Sequence, residues 1–473
     1  MNVEKERRII VLRKANSVYL DYLEEIIRNK LSQRKALMVQ FRSIQLDLLN
    51  LKGIRHCRRI LKIAIILNDY ALIVNPHNGL EKALLPNCPP LNFASSFYVP
   101  TFSELRSIVS AHFVLQDAYL DVNGVPAFVV SLEPLERKFR ELLSELSKFN
   151  LIAVVRRNGD QLMIRIFPKP VLKPARSKIN IGLFVLTVAT ITITGYEIWS
   201  YNRLWKEILS PNANAFVQAA IFAACMLGII GLHEFGHKMA CRLHGLDATW
   251  PYFIPGPPPS LGGLGTFGAV ISLRGGPANK NQLFDIGIAG PVLGFLATIF
   301  VFILSIAMGA TISQAQAEVF QKMGLISFVS WPSSPLLLIL LSGLIDTLGI
   351  MSTPPGSMLI LAQVEFAAEI GALITFLNIL PIWQLDGGHI SRAVFGANGH
   401  RIATIIGIAV LFVSGYGFFA VFLLLWMFAN RQVLRGVEPL DDVSPLTLSR
   451  KLLFLAVLGI LILCFATPFT TRL

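Results

Sequence analysis

The sequence has little charge and few cysteines. Only 15% of its 473 residues are charged, whereas 53% are hydrophobic, and the mean hydropathy is +0.59. Soluble domains carry about 25% charged residues, so the scarcity of charge excludes an ordinary soluble enzyme and indicates a protein with several membrane spans. The 5 cysteines include no CxxC pair, which excludes a disulfide framework and a thiolate metal site.

Two further signals are missing. The first residues include Glu4 and Glu6 but no apolar run, unlike a secretory signal or an acid-poor transit peptide, so internal spans are expected to drive insertion. No Gly-Lys-Ser/Thr phosphate loop occurs. The net charge of +13 is explained by basic residues beside membrane spans, so anionic lipid headgroups are expected partners and nucleic acid is not.

Charge is concentrated in residues 1–177, which predicts a small soluble α+β N-terminal domain followed by a membrane-embedded domain at 178–473. Within the first domain, helical periodicity at 16–51 and a proline-rich passage at 86–100 precede a β-α-β-β unit at 127–168. Its predicted elements are strands at 128–132, 151–156 and 161–167 and a helix at 134–149. Basic residues just before the first span place this domain in the cytoplasm: Lys169, Lys173, Arg176 and Lys178.

The remaining chain predicts an all-α polytopic bundle with about seven crossings. The predicted spans are residues 181–198, 215–242, 284–310, 359–380, a helical hairpin within 402–428, and 452–468. The short apolar run 336–350 is interpreted as peripheral or re-entrant on the far face. Residues 250–273 are uncharged and rich in proline and glycine, so they predict a re-entrant β-like segment. Its edge could accept an unwound substrate as an added strand, or the segment could be a connector.

An HExxH unit, His233, Glu234 and His237, ends the apolar run 215–232. On a helix the two histidines lie one turn apart on one face, where they can bind one Zn²⁺, while Glu234 is placed to act as a general base. The alternative is a pair of structural polar residues at a helix end. Ionisable groups at membrane depth are costly and usually functional, which favours the metal site.

The third ligand distinguishes the classes of zinc protease. A metzincin needs glycine at 240 and histidine at 243, where this chain has Ala240 and Leu243. The gluzincin pattern needs a downstream glutamate, and none occurs between residues 238 and 317. If the run 336–350 does not cross the membrane, the following span returns Asp386 to the side of His233, so Asp386 is the candidate acid.

Asp386 lies in the run Asn-Ile-Leu-Pro-Ile-Trp-Gln-Leu-Asp-Gly-Gly-His at 378–389. Together with the HExxH unit, this Asn-x-x-Pro-x-x-x-Leu-Asp-Gly pattern resembles the site-2 protease family of intramembrane zinc metalloproteases. Gly-Thr-Phe-Gly-Ala at 265–269 and Ala-Gly-Pro at 289–291 support the resemblance. It covers about residue 127 to the C-terminus and is closest to the cyanobacterial and chloroplast-type branch and its prokaryotic relatives.

The resemblance implies that His233, His237 and Asp386 bind about one Zn²⁺ per chain and that Glu234 is the base. Asn378 either donates to the developing oxyanion or satisfies backbone opened by Pro381. Other positions depart from or add to the family pattern. Gly294 replaces the asparagine that is common in the family. Glu365 and Glu369 either act in gating or proton supply, or only face the bundle or the outer interface. His389 is either a fourth zinc ligand or a residue that supports a ligand.

The predicted function is therefore intramembrane zinc endopeptidase activity that cleaves transmembrane segments of membrane proteins near the cytoplasmic side. The expected location is a prokaryotic cytoplasmic membrane, and no feature of the sequence specifies an oligomeric state. Two alternatives remain open, a proteolytically inactive membrane adaptor stabilised by the metal cluster and a divalent-metal transporter.

Overall fold

A computed structural model describes residues 100–169, 177–326, 333–349, 354, 356–429 and 436–467, apart from positions 123, 133 and 384. The chain forms two compact units that divide after residue 169. The predicted helix at 16–51 and nearly all of the proline-rich passage at 86–100 lie outside the described residues. The predicted domain limits at 177 and 178 stay predictions.

The described part of the first unit is a four-stranded antiparallel sheet with two helices. The elements are α1 Phe102–His112, β1 Leu115–Leu120, β2 Pro126–Val130, α2 Leu135–Ser147, β3 Leu151–Asn158 and β4 Gln161–Pro168. The strand order is β1-β2-β4-β3. Alternate residues of β3 and β4, such as Val155 and Ile164, are buried with Phe139 and Leu142 of α2, as period-2 strands and an amphipathic helix require.

Helices dominate the second unit. They are α3 Ser177–Tyr201, α4 Ala215–Leu243, α5 Lys280–Ala307, α6 Gln314–Lys322, α7 Leu336–Thr347, α8 Glu365–Ile379, α9 Asp386–Val413, α10 Gly417–Ala429 and α11 Leu448–Leu463, with a π-helical turn Leu204–Leu209 after α3. α5 lies at the centre and packs against α4, α8 and α9. Its core contacts are apolar: Phe222, Met226 and Ile229 of α4, Val301 and Phe302 of α5, and Ala368 and Ile370 of α8.

Four of the described helices, α3, α4, α5 and α9, are long and apolar enough to cross a membrane, if the residues on both sides of a kink at Gly396 are counted for α9. α8, α10 and α11 contain 15, 13 and 16 residues, which is less than the roughly 20 that a spanning helix needs. The predicted total of about seven crossings is therefore not matched by helix length, and the higher number stays a prediction.

Two predicted spans have different limits in the structure. The run 359–380 begins inside strand β10, Ser357–Ile360, which pairs antiparallel with β9, Ala310–Ser313, so α8 begins only at Glu365. This pairing satisfies the backbone of an apolar segment that could otherwise have been helical. The run 402–428 is divided between α9 and α10, and Gly415 has a φ of 90° at the break. The run 336–350 forms α7, which has 12 residues.

α9 is not one straight helix. Gly396 has non-helical backbone angles, φ 71° and ψ −170°, and divides α9 into residues 386–395 and 397–413. A 2.7 Å hydrogen bond between Ser391 Oγ and His400 Nδ1 joins the two pieces across this kink. The short first piece, which begins at Asp386, can therefore point in a direction that the spanning piece does not determine.

The segment predicted to be β-like forms a hairpin. β5 Asp247–Ala248 pairs with β8 Leu273–Arg274, and β6 Tyr252–Pro255 pairs with β7 Thr266–Val270, both antiparallel. The hairpin follows α3, since Asn180 Nδ2 donates to Trp250 O at 3.4 Å and both the N–H and hydroxyl of Ser260 donate to the Glu197 carboxylate. Asn180 and Glu197 are about 25 Å apart along the helix, so the hairpin runs beside most of α3.

Candidate metal centre

The HExxH unit lies within α4, which is unbroken for 29 residues. His233 and His237 are one turn apart and face α5, with 4% and 6% of their surfaces exposed. The hydrophobic residues Phe235 and Met239 on the other side are about half exposed, as a lipid-facing surface requires. Local helix geometry therefore presents both imidazoles to the interior of the bundle.

Asp386 reaches these histidines from a distance of 153 residues in sequence. Its Oδ2 lies 3.1 Å from His233 Nε2 and its Oδ1 lies 3.2 Å from His237 Nε2, while the two Nε2 atoms are 3.2 Å apart. In a tetrahedral zinc site with bonds of 2.0–2.1 Å, ligand atoms are about 3.3 Å apart. The three side chains thus have the chemistry and the spacing that a zinc ion requires. They are the one such group found among the described residues.

The orientation of His237 is set by α5. Its Nδ1 donates to the carbonyl oxygen of Ile286 at 2.8 Å, which leaves Nε2 free to bind a metal. Gly290 allows this approach, because a Cβ atom at that position would overlap the His237 ring. A Cβ atom at Gly294 would lie 3.0 Å from His233 Nδ1. The glycine that replaces the family's common asparagine therefore fits closely against the His233 ring.

The turn before α9 determines where Asp386 lies. A Cβ atom at Gly387 would overlap the carbonyl oxygens of Ile379 and Leu380. Trp383 has a left-handed φ of 38°, and its N–H donates to Thr404 Oγ1 at 3.2 Å. These close contacts, including one to the spanning piece of α9, hold the turn against its neighbours.

Glu234 is also buried, with 4% of its surface exposed. Its Oε2 atom has no hydrogen-bond partner among the described residues. The backbone of Ile271, the residue after β7, is a hydrogen-bonding neighbour of the same carboxyl group. Glu234 therefore adjoins both the metal-binding group and the end of the hairpin strand.

The other predicted residues lie at different distances. Asn378 Nδ2 is 3.4 Å from His233 Nε2, so α8 brings this amide to the group. His389 is half-buried and is not one of the three clustered ligands. Glu369 is buried and accepts a 2.6 Å hydrogen bond from Ser334. It precedes Asn378 by nine positions on α8, about 13 Å, so the structure does not bring it to the metal-binding group.

The residues that hold these helices in place were not predicted from the sequence. The glycines of α5 recur at 287, 290 and 294, a three- and four-residue spacing that puts them on one helical face. This spacing was a usable signal for close packing. Two groups of charged side chains were also not predicted, because their members are far apart in the sequence. Arg392 and Lys280 lie at Asp442, and Arg450 and His244 lie at Asp285.

Comparison with known proteins finds similarity in the part of the chain that contains this site. Residues 221–421, which contain all three candidate ligands, match the model of peptidase family M50. None of the solved structures gives a significant match.

Several curated plant proteins are similar to the chain. It is 28% identical to the probable zinc metalloprotease EGY1, chloroplastic, of Arabidopsis thaliana, over 59% of this chain and 53% of that protein. It is 26% identical to the probable zinc metalloprotease EGY2, chloroplastic, of Oryza sativa subsp. indica, over 62% and 51%. The match to EGY3 of the same rice is 27% over 56% and 44%. The chain thus spans about half the length of the curated relatives it matches.

Proposed function

Because residues 221–421 match the model of peptidase family M50, we propose that the protein is an intramembrane zinc metalloendopeptidase of the site-2 protease family. Its substrates would be transmembrane segments of other membrane proteins, and the bilayer its second partner. The observation that carries the proposal is the meeting of His233, His237 and Asp386 beside the buried Glu234. The similar plant proteins, which are named probable zinc metalloproteases, support the same activity.

In the proposed reaction, His233, His237 and Asp386 would hold a zinc ion, which would supply Lewis acidity to the scissile carbonyl and to water. Glu234 takes a proton from the attacking water and passes it to the leaving amine nitrogen. The burial of Glu234 keeps bulk water away from this proton. The side-chain N–H of Asn378, close to His233, is placed to donate to the developing oxyanion. Its alternative role is to satisfy the backbone near Pro381.

The hairpin supports a specific way of presenting the substrate. A peptide bond inside a helix is inaccessible, so a transmembrane substrate must become extended before cleavage. β7 pairs only with β6 among the described strands, which leaves its second edge available for strand addition. Because Ile271 at the end of β7 neighbours Glu234, a strand added there would pass close to the proposed base.

The location and orientation are also proposals. Basic residues before α3 favour a cytoplasmic first unit, and the multi-helix architecture favours a multi-pass membrane protein. The curated relatives are chloroplast proteins, whereas the sequence prediction was a prokaryotic cytoplasmic membrane.

The first test is metal content. We expect about one zinc ion per purified chain in detergent, and its loss in both His233→Ala and Asp386→Ala. Asp346→Ala is the matched control, since Asp346 is exposed on α7. Zinc that is retained without Asp386 would overturn the proposed centre and favour the adaptor or transporter.

The second test separates catalysis from metal binding. Glu234→Gln should retain the metal but lose cleavage of transmembrane substrates, because the amide cannot accept the proton. Glu207→Gln, about half exposed on the turn after α3, is the control. Cleavage by Glu234→Gln at the wild-type rate would refute the assigned base. A transporter is further disfavoured because it would use polar ligands along several spans, and the described residues contain one three-ligand group.

A further inference from the structure

A segment near the end of the chain connects the helices that carry or support the proposed metal ligands. We define residues 438–450 as the C-terminal clasp. The backbone of the clasp lies beside the start of α5, where Leu440 N donates to Pro277 O at 2.9 Å and Asp441 N donates to Ala278 O at 2.8 Å. The clasp lies outside residues 221–421, the range that matches the family model.

Asp442 of the clasp joins α9 to α5. Arg392, only 2% exposed, donates through Nη1 and Nη2 to the two oxygens of Asp442 at 2.9 Å and 2.7 Å. The Nζ atom of Lys280, the first residue of α5, lies 3.8 Å from the same carboxylate. Arg392 belongs to the short first piece of α9, six residues after Asp386. A buried guanidinium is costly without an anion, so this pair strongly favours one position of that piece.

Arg450 of the clasp joins α11 to α5 and α4. Its Nε and Nη2 donate to the two oxygens of Asp285 at 2.7 Å and 2.6 Å. His244 Nε2, at the end of α4, lies 2.9 Å from Asp285 Oδ2. His244 follows His237 by two helical turns and so lies on the same face.

Asp285 also precedes Ile286, whose carbonyl accepts from His237 Nδ1. Asp285 of the second ion pair is therefore the direct neighbour in the chain of the residue whose carbonyl group orients the proposed ligand His237. Each of the two pairs reaches one ligand-bearing helix, and both meet on α5.

α5 lies between the two helices that carry the proposed ligands, so the ion pairs that fix α5 also fix distances within the metal-binding group. Gly290 lies against the His237 ring, and a Cβ atom added at Gly287 would lie 3.0 Å from the backbone oxygen of Asp386. α5 is thus the spacer between α4 and α9, and the clasp holds its first turns. We propose that Asp442 and Arg450 are positioning residues for the metal centre, which set the separation of His237 and Asp386. This inference rests on the proposed metal site.

The test is a titration of the metal-free, full-length protein in detergent with Co²⁺, whose absorption spectrum reports the coordination geometry. Arg450→Gln and Asp442→Asn should each lower the Co²⁺ affinity by roughly 10-fold or more and change the spectrum, as loss of outer partners of metal ligands does. Lys451→Gln is the matched control for Arg450→Gln, since Lys451 is exposed and carries the same charge on the same helix, and Asp346→Asn, at an exposed carboxylate on α7, is the control for Asp442→Asn. The controls should behave like the wild type.

Exchange of the charges distinguishes positioning from general stability. Asp285→Arg combined with Arg450→Asp should recover much of the affinity and spectrum that either single change loses. If a single variant does not fold, Arg450→Lys keeps the charge without the paired N–H donors and should give a smaller loss.

Two negative results have different meanings. Unchanged affinity and spectra in folded Arg450→Gln and Asp442→Asn, with normal binding by the wild type, would overturn the clasp alone. Absence of Co²⁺ binding by the wild type would overturn the proposed metal centre itself, and the clasp with it.

Discussion

The two helices that carry the candidate ligands, α4 and α9, differ in construction. α4 is continuous, and it places His233 and His237 by helical periodicity in its last third. α9 places Asp386 at its first position, after a tight turn and before a kink at Gly396. Ligands inside a helix need only the helix, whereas a ligand at a helix start depends on everything that fixes that start. Errors of placement should therefore arise mainly from the surroundings of Asp386.

The largest effect is expected at the turn before α9. Gly387→Ala puts a methyl group onto the carbonyl oxygens of Ile379 and Leu380, and backbone cannot move aside as a side chain can. We expect destabilisation by about 3 kcal/mol or more, together with loss of bound metal. Thermal unfolding and metal content measure both. Gly228→Ala in α4 is the control, because a Cβ atom there meets nothing within 4 Å.

Retention of the metal and a wild-type melting temperature in Gly387→Ala would show that the start of α9 can be rebuilt. Asp386 would then be as locally determined as the histidines of α4, and the difference between the helices would disappear.

A second, intermediate effect is expected at Trp383. Its side chain is 5% exposed and packs edge-to-face on Trp426 of α10, with ring centroids 5.9 Å apart. Trp383→Ala should cost about 3 kcal/mol from lost packing and weaken metal binding, since the left-handed turn loses its anchor. Trp426→Ala removes the same ring contact from an exposed partner and should affect stability less and metal affinity hardly at all. Equal loss of metal affinity in both variants would contradict a special role for the turn.

The smallest effect, of opposite sign, is expected in α4. Gly228 faces outward in mid-helix, so Gly228→Ala should raise the stability of the protein by about 0.5–1 kcal/mol through helix propensity, with unchanged metal content. The shift in melting temperature measures it. A clear destabilisation would mean that the straight part of α4 also depends on close neighbours.

The strands of the N-terminal unit and the hairpin could be predicted from the sequence because their signals are local. Alternation of apolar residues is a local property of a strand, and proline with glycine excludes a helix at 250–273. The limits of α8 were less accessible, because residues 357–360 are as apolar as a helix would be. Their pairing with β9 involves partners 44 to 50 positions earlier, from Ser313 with Ser357 to Ala310 with Ile360. No local pattern contains that information.

The candidate site also depends partly on local sequence and partly on long-range packing. Helical periodicity was sufficient to put His233, Glu234 and His237 on one turn of one helix, whereas Asp386 was singled out by the predicted order of the spans and by the resemblance to site-2 proteases. Only the packed structure brought Asp386 within 3.2 Å of both histidines, placed the glycines of α5 between the ligand helices, and paired Arg392 with Asp442 and Arg450 with Asp285. Periodicity follows from backbone geometry, which each short stretch of chain carries by itself. The distance between two helices depends on every side chain and charge that fills the space between them.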